Sequence, residues 1–213
     1  MKCSRRLVLA GSAGVLATTL ARASRADPTG DPTGDPTRNL LRRIAEARAP
    51  VRTLQGPFTQ TRVIGLLAAD VHSHGTMALV RPDRLRWQLD PPDDVTFFVG
   101  PSGLSYRSAH GSGSVPEASA KVAAALEDMR TLLGGNLEHL TERWGLKALR
   151  DDGAGAEIEA IPKDAGTALR SMRFALAPDL VRPTRAVLVE SAHDRTTIEF
   201  GELAINAPVT NMR

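Results

Sequence analysis

The residues whose types and spacing come nearest to chemistry are His72-Ser73-His74. Two residues apart on a strand, both imidazoles point to one face, as two ligands to one ion must. Asp70 shares that parity, but no third ligand is evident, so a solvated pair of histidines at a hairpin is the plainer reading and no metal site is assigned. His110 and His139 stand alone, and are expected to be structural or exposed. Asp93-Asp94 and Asp151-Asp152 sit where turns are expected, and short carboxylates there serve neighbouring backbone N–H groups. The sequence contains no G-x-G-x-x-G, no G-x-x-x-x-G-K-[ST], no G-x-S-x-G and no H-E-x-x-H. No catalytic residue and no cofactor follow from it. Five Phe, two Trp and one Tyr supply no aromatic array for stacking bases or sugars. What is plentiful is aliphatic side chain, which suits either an ordinary core or a cavity for alkyl chains.

Stepping outward, the elements that must position these residues belong to a chain of 213 residues, with 42% apolar and 24% charged. That is the composition of a folded domain. The formal charge of +3 comes from the N-terminus: residues 1–26 hold five basic residues and no acid, leaving 22 Lys and Arg against 24 Asp and Glu in the rest. No basic domain remains to bind nucleic acid. The leader itself has a basic start, an uncharged run over residues 7–21, and small residues ending at Ala23 and Ala26. This is the order of a secretory signal, and an apolar run of that length is short for a membrane span. Arg5-Arg6 resembles a twin-arginine signal. The expected location is the periplasm, with cleavage near Ala23 or Ala26. Cys3 precedes the apolar run and is the only cysteine, so the mature chain has no disulfide and is not itself expected to be lipidated.

DPTGDPTGDPT, residues 27–37, reads as a flexible spacer with Thr37 as the cap of a helix over 38–49 that Pro50 stops. Beyond it the period changes. Leu85, Trp87 and Leu89 alternate with Arg84, Arg86, Gln88 and Asp90, which marks a strand with one apolar face. Strands are expected at 52–67, 70–81, 84–90, 95–100 and 103–108, in antiparallel hairpins because the connections are too short for crossovers. Residues 116–133 carry Val122, Leu126, Met129 and Leu133 at helical spacing, and Gly134-Gly135 ends that helix. Asn136 opens a short second helix, LEHLTERW. Strands resume at 144–150, 156–161, 170–177, 184–191 and 195–206. The absence of βαβ alternation excludes a doubly wound nucleotide fold. The expected class is mainly β with α: a curved antiparallel sheet or incomplete barrel with helices over one opening.

Several segments then support a family resemblance. Leu54-Gln55-Gly56-Pro57-Phe58-Thr59-Gln60 resembles the opening strand of the outer-membrane lipoprotein carrier family, LolA. Gly75-Thr76-Met77-Ala78-Leu79-Val80-Arg81-Pro82-Asp83-Arg84-Leu85-Arg86-Trp87 resembles its G…R-P…R-W signature, followed by Asp90-Pro91-Pro92. Ile198-Glu199-Phe200 and Asn206-Ala207-Pro208 resemble its late element. The 112–140 region is similar to divergent branches of the family.

The resemblance implies an incomplete, strongly curved antiparallel β-barrel with a helical lid. Its cavity would receive acyl chains of lipoproteins freed by inner-membrane release machinery and pass them to an outer-membrane acceptor. The carrier is expected to be a monomer. Phe58, Leu85, Trp87, Leu89, Phe97 and Tyr106 are the expected cavity wall, although parity does not say which strand face is concave. Val122, Leu126, Met129 and Leu133 are the expected lid face. Arg81 falls on the family's R-P arginine, implied to reach the lid and hold it closed. A lipid-sensing module of an envelope regulatory system is the second reading, and an exported hydrolase the third.

Overall fold

Pro36 sets where the first helix begins. Its fixed φ and missing N–H suit a first helical turn. The helix α1 therefore runs Pro36–Arg48, and the Asp35 carboxylate caps it by accepting from the Thr37 N–H at 2.9 Å. The cap is Asp35 and not Thr37, so the last two residues of the expected spacer are helical. The computed structural model describes residues 34–67, 69–101, 103–114, 120–134, 137–164, 167 and 169–212. For 120–123, 125, 138 and 139 it describes the backbone only. The signal segment and most of the spacer lie outside the described residues.

After α1 come β1 (Thr53–Val63), β2 (Val71–Val80), β3 (Arg84–Leu89), β4 (Val95–Gly100), β5 (Gly103–Ser108) and β6 (Gly111–Ser114). The helices α2 (Ala120–Gly134) and α3 (Leu137–Arg143) follow. The chain returns to strand in β7 (Trp144–Asp152), β8 (Gly155–Pro162), β9 (Ser171–Leu176), β10 (Pro183–Val189), β11 (Arg195–Phe200) and β12 (Ala204–Ile205). The sheet order is β6-β5-β4-β3-β2-β1-β11-β10-β9-β8-β7, with β12 added on β1. Every pairing is antiparallel. Two meanders are thus joined by one long-range seam, β1 to β11, in a single strongly curved open sheet.

Two differences from the sequence expectation have local causes. The strand expected over 195–206 is broken after Phe200, where the Gly201 N–H donates to the Pro57 carbonyl and the ladder restarts at Ala204. The strand β6 is Gly-Ser-Gly-Ser, a composition without β propensity, and forms because the turn before it returns the chain against β5.

The registers decide which side chains share a face. Leu79, Leu85, Val99 and Leu104 lie in line across β2 to β5, as do Met77, Trp87, Phe97 and Tyr106. Ile198, Ala186, Phe174 and Ile158 do the same across β11 to β8. Leu40 and Ile44 of α1 and Met129, Leu132 and Leu133 of α2 pack onto this face, forming one core. Gly75 is required where the strands crowd: a Cβ there would lie 1.8 Å from the Gln88 carbonyl oxygen. Opposite it in register, Phe58 stacks on Trp87 with ring centroids 3.9 Å apart.

Candidate functional site

The six expected wall residues all fall on the covered face. Phe58 pairs with Gly75 and Gly75 with Leu89, while Leu85, Trp87, Phe97 and Tyr106 occupy the registers given above. Register therefore puts all six on one face, which parity within a single strand does not determine. Phe58, Leu85 and Trp87 are buried, whereas Leu89, Phe97 and Tyr106 are half-buried at the β4–β5 end. Trp87 also meets Phe200 edge-on at 6.3 Å. The result is an aromatic floor under a continuous aliphatic sheet.

The helix α2 lies across β2 and β4 and against α3. Of its expected lid residues, Met129 and Leu133 are buried in the core and Leu126 packs at its margin. Val122 is placed by its backbone alone. Leu132, one position round the helix, is buried as well. In this state the cover occupies the face, so the apolar groups satisfy one another.

Arg81 is held by backbone carbonyls at the end of α1. Its guanidinium donates through Nη1 to the carbonyls of Arg48 and Val51, the latter at 3.2 Å. Its described bonds thus cap the C-terminal end of α1 and do not reach α2. The reason is geometric: the end of α1 lies beside the end of β2, where the Arg48 carbonyl also accepts from the Val51 N–H at 3.0 Å, and a cation there complements the helix dipole.

The group that does reach α2 is Arg48. It lies 2% exposed and donates from Nη1 to the Leu132 carbonyl at 2.6 Å. Its Nη2 lies 3.5 Å from the Val181 carbonyl, and its guanidinium sits 5.9 Å from the centre of the Phe174 ring. Burial, with Arg81 adding repulsion and Asp179 offsetting part of it, lowers its pKa to about 10. It stays charged at neutral pH. The sequence did carry a signal for it. Leu40, Ile44 and Arg48 are spaced by four and form the buried stripe of α1, so an arginine on that stripe had to find partners inside.

Asp128 is the other buried charge among the described residues. Burial raises its pKa, while Arg143, which donates to it at 2.9 Å, works in the opposite direction. It lines a cleft of about 440 Å³ with Pro82, Asp83, Glu127, Arg130 and Arg143, on the polar flank of α2. The histidines form no shared site. His72 Nδ1 is 3.2 Å from the Thr61 hydroxyl and His74 is 3.9 Å from Asp90, both on the exposed face. No group of three or more metal-ligating side chains occurs among the described residues. Asp151 pairs with Arg43, and Asp152 caps its own turn through the Ala154 N–H.

With that geometry in hand, similarity to known proteins is informative. An outer-membrane lipoprotein carrier protein of Coxiella burnetii is 21% identical over 160 residues, covering 75% of this chain and 74% of that one. Among solved structures, the MucA/MucB complex of Pseudomonas aeruginosa matches with a TM-score of 0.49 at 14% identity, over 82% of this chain and 58% of that one. A LolA superfamily protein from Nitrosomonas europaea matches with a TM-score of 0.44 at 9% identity, over 83% and 96%. The family model for the outer membrane lipoprotein carrier protein LolA covers residues 49–213, from the end of α1 through all twelve strands. The chain belongs to the LolA family.

Proposed function

We propose that the protein is a periplasmic carrier that shields lipoprotein acyl chains between the apolar sheet face and α2, and delivers them toward the outer membrane. The observation that carries this reading is the single covered face running across both meanders, closed by a helix rather than by a second sheet. Family membership supports a carrier that binds lipid or lipoprotein in the periplasm. No helix among the described residues is long and apolar enough to cross a membrane. The leader would be removed near Ala23 or Ala26 on export.

The energetics set the design problem. Each methylene removed from water is worth about 0.8 kcal/mol, so one fatty chain carries roughly 10 kcal/mol. A carrier must cover that surface and still release it. A cover that competes for the same face does both, because cargo and α2 exchange one apolar contact for another. Arg81 and Arg48 hold the closed form in series. Arg81 fixes the backbone at the end of α1, and Arg48 reaches from there to the Leu132 carbonyl of α2.

Loading the purified protein with an acylated lipoprotein and presenting it to outer-membrane vesicles tests the reading. Transfer of the lipoprotein supports it. Loading without transfer would assign a lipid-sensing module instead, and failure to load would remove the carrier function altogether.

A further inference from the structure

Two cations lie together at the end of α1, and among the described residues neither has a carboxylate within ion-pair distance. The nearest candidate, Asp179, is committed elsewhere: it accepts from the Val181 and Arg182 N–H groups and pairs with the Arg182 guanidinium. Arg48 and Arg81 are instead held by backbone carbonyls. A carbonyl offers a partial charge, so both guanidiniums are under-compensated for a place where one of them is fully buried.

The bonding of Arg48 is also lopsided. Its Nη1 is well used, on Leu132. Its other edge is Nε with Nη2. Nε is buried and has no partner, and Nη2 has only the 3.5 Å approach to Val181. That distance is at the limit for a hydrogen bond. Nε–H and Nη2–H project side by side, which is the fork that takes a carboxylate or phosphate through two parallel bonds. Beside this fork stands Phe174, the start of the apolar face. A buried cationic edge with no partner, next to a hydrocarbon face, matches one class of ligand, an anionic amphiphile.

We propose that Arg48, with Arg81 beside it, binds the carboxylate or phosphate head of an amphiphile whose alkyl chain lies on the sheet face. The inference rests on the carrier reading and adds a second class of ligand to it, since the acyl chains of a lipoprotein hang from neutral ester and amide links. It also supplies a route to opening. An anion on the fork of Arg48 draws the guanidinium away from the Leu132 carbonyl, so head binding releases α2 as the chain takes its place. Head and cover compete for one arginine, just as chain and cover compete for one face.

The test is equilibrium binding of a fluorescent polyene fatty acid and of its methyl ester to the delipidated full chain at neutral pH. The acid is expected to bind about tenfold or more tighter than the ester, the worth of one charge-assisted bond. Arg48→Met should abolish the preference, so that acid and ester bind alike, with the ester itself bound more tightly because the hold on the Leu132 carbonyl is lost. Arg48→Lys should recover part of the preference, because a point charge cannot form the fork. Equal binding of acid and ester by the unsubstituted protein overturns the proposal, and that comparison stands even if Arg48→Met does not fold. An acid preference that survives Arg48→Met also overturns it. Displacement of the acid by millimolar inorganic phosphate would overturn the amphiphile assignment and leave a simple anion site. Failure to bind either probe also overturns the proposal, while the lipoprotein-transfer assay decides the carrier reading separately.

Discussion

The two meanders use the same face differently. In the β7–β11 half, β9 alternates throughout between buried and open positions and β8 and β10 do so over most of their length, and small residues such as Ala156, Ala160 and Ala186 let large ones such as Phe174 and Met172 seat fully. The helix α1 is tied to this half by the Arg43–Asp151 ion pair and by the Ala148 N–H donating to the Thr37 hydroxyl at 3.1 Å. In the β1–β6 half, burial fades outward. β3 still buries Leu85 and Trp87, β4 is half-buried along most of its length, and β6 is open throughout. Phe97 and Tyr106 are aromatic and on the covered face, yet remain half-covered. Burial is carried to the edge strand in one wall, and the other is left at β4 and β5 with apolar surface only half covered. The same division explains why the cover spans β2 and β4 while its tether, Arg48, touches Phe174 on the opposite wall. The helix α2 is tethered through Arg48 to the wall that is more evenly buried and lies partly over the one that is less so.

The strongest way to break this contrast is Phe174→Ala. Its loss from the sealed wall should cost about 3–5 kcal/mol, read as a lower urea midpoint. A loss below about 1 kcal/mol would mean that wall is no better packed than the other. Next is Arg81→Leu. Removing charge-assisted bonds worth about 1.5–3 kcal/mol should shift the closed–open balance about tenfold to a hundredfold toward open. The variant should retain acylated lipoprotein more tightly and transfer less of it to an acceptor. Unchanged retention and transfer would leave Arg81 as a helix cap and nothing more. Phe97→Ala comes third, with about 1–2 kcal/mol expected from a half-buried ring. Its effect on lipid uptake should be disproportionately large, and an effect on stability alone would make the open wall ordinary core.

The smallest effect is a pH dependence. Burial raises the pKa of Asp128 above the ordinary carboxylate value of about 3.8, so the folded state holds a proton that the unfolded chain has already released. Asp128 therefore contributes stability at the acid end, and this contribution is lost as pH rises from about that value through the raised pKa. Asp128→Asn removes the titration. Urea midpoints of the two proteins across acid to neutral pH should converge or cross toward neutrality in favour of the variant. Parallel curves would show that the Arg143 pair already compensates the burial in full.

Much of the open wall was legible in the sequence, because alternation over 84–90, the proline punctuation and the short connections leave little choice but an antiparallel meander. The face common to Phe58, Leu85, Trp87, Leu89, Phe97 and Tyr106 was not, since parity within one strand says nothing about its alignment with the next. That needed the registers around Gly75 and Trp87. The contact from Arg48 to Leu132 spans 84 positions in sequence, and a basic residue at a helix end reads first as a complement to the dipole. The stripe of Leu40 and Ile44 pointed to its burial, but only the fold shows what waits there. Assigning the helix cap to Thr37 failed for a simpler reason: Asp35 and Pro36 form a better start, and the Thr37 hydroxyl serves the edge of β7 instead.

That last bond has a bearing on behaviour in crowded solution. An open sheet has two raw margins, and each could recruit a strand from a neighbouring molecule into a growing ribbon. At β7 the margin is interrupted by the irregularity between Ala148 and Arg150 and is partly occupied by the Thr37 hydroxyl. At β6 it is four residues of glycine and serine, too short and too weakly β-forming to template another strand. A curved sheet can thus keep its greasy interior available to a passenger without its borders gluing one copy to the next.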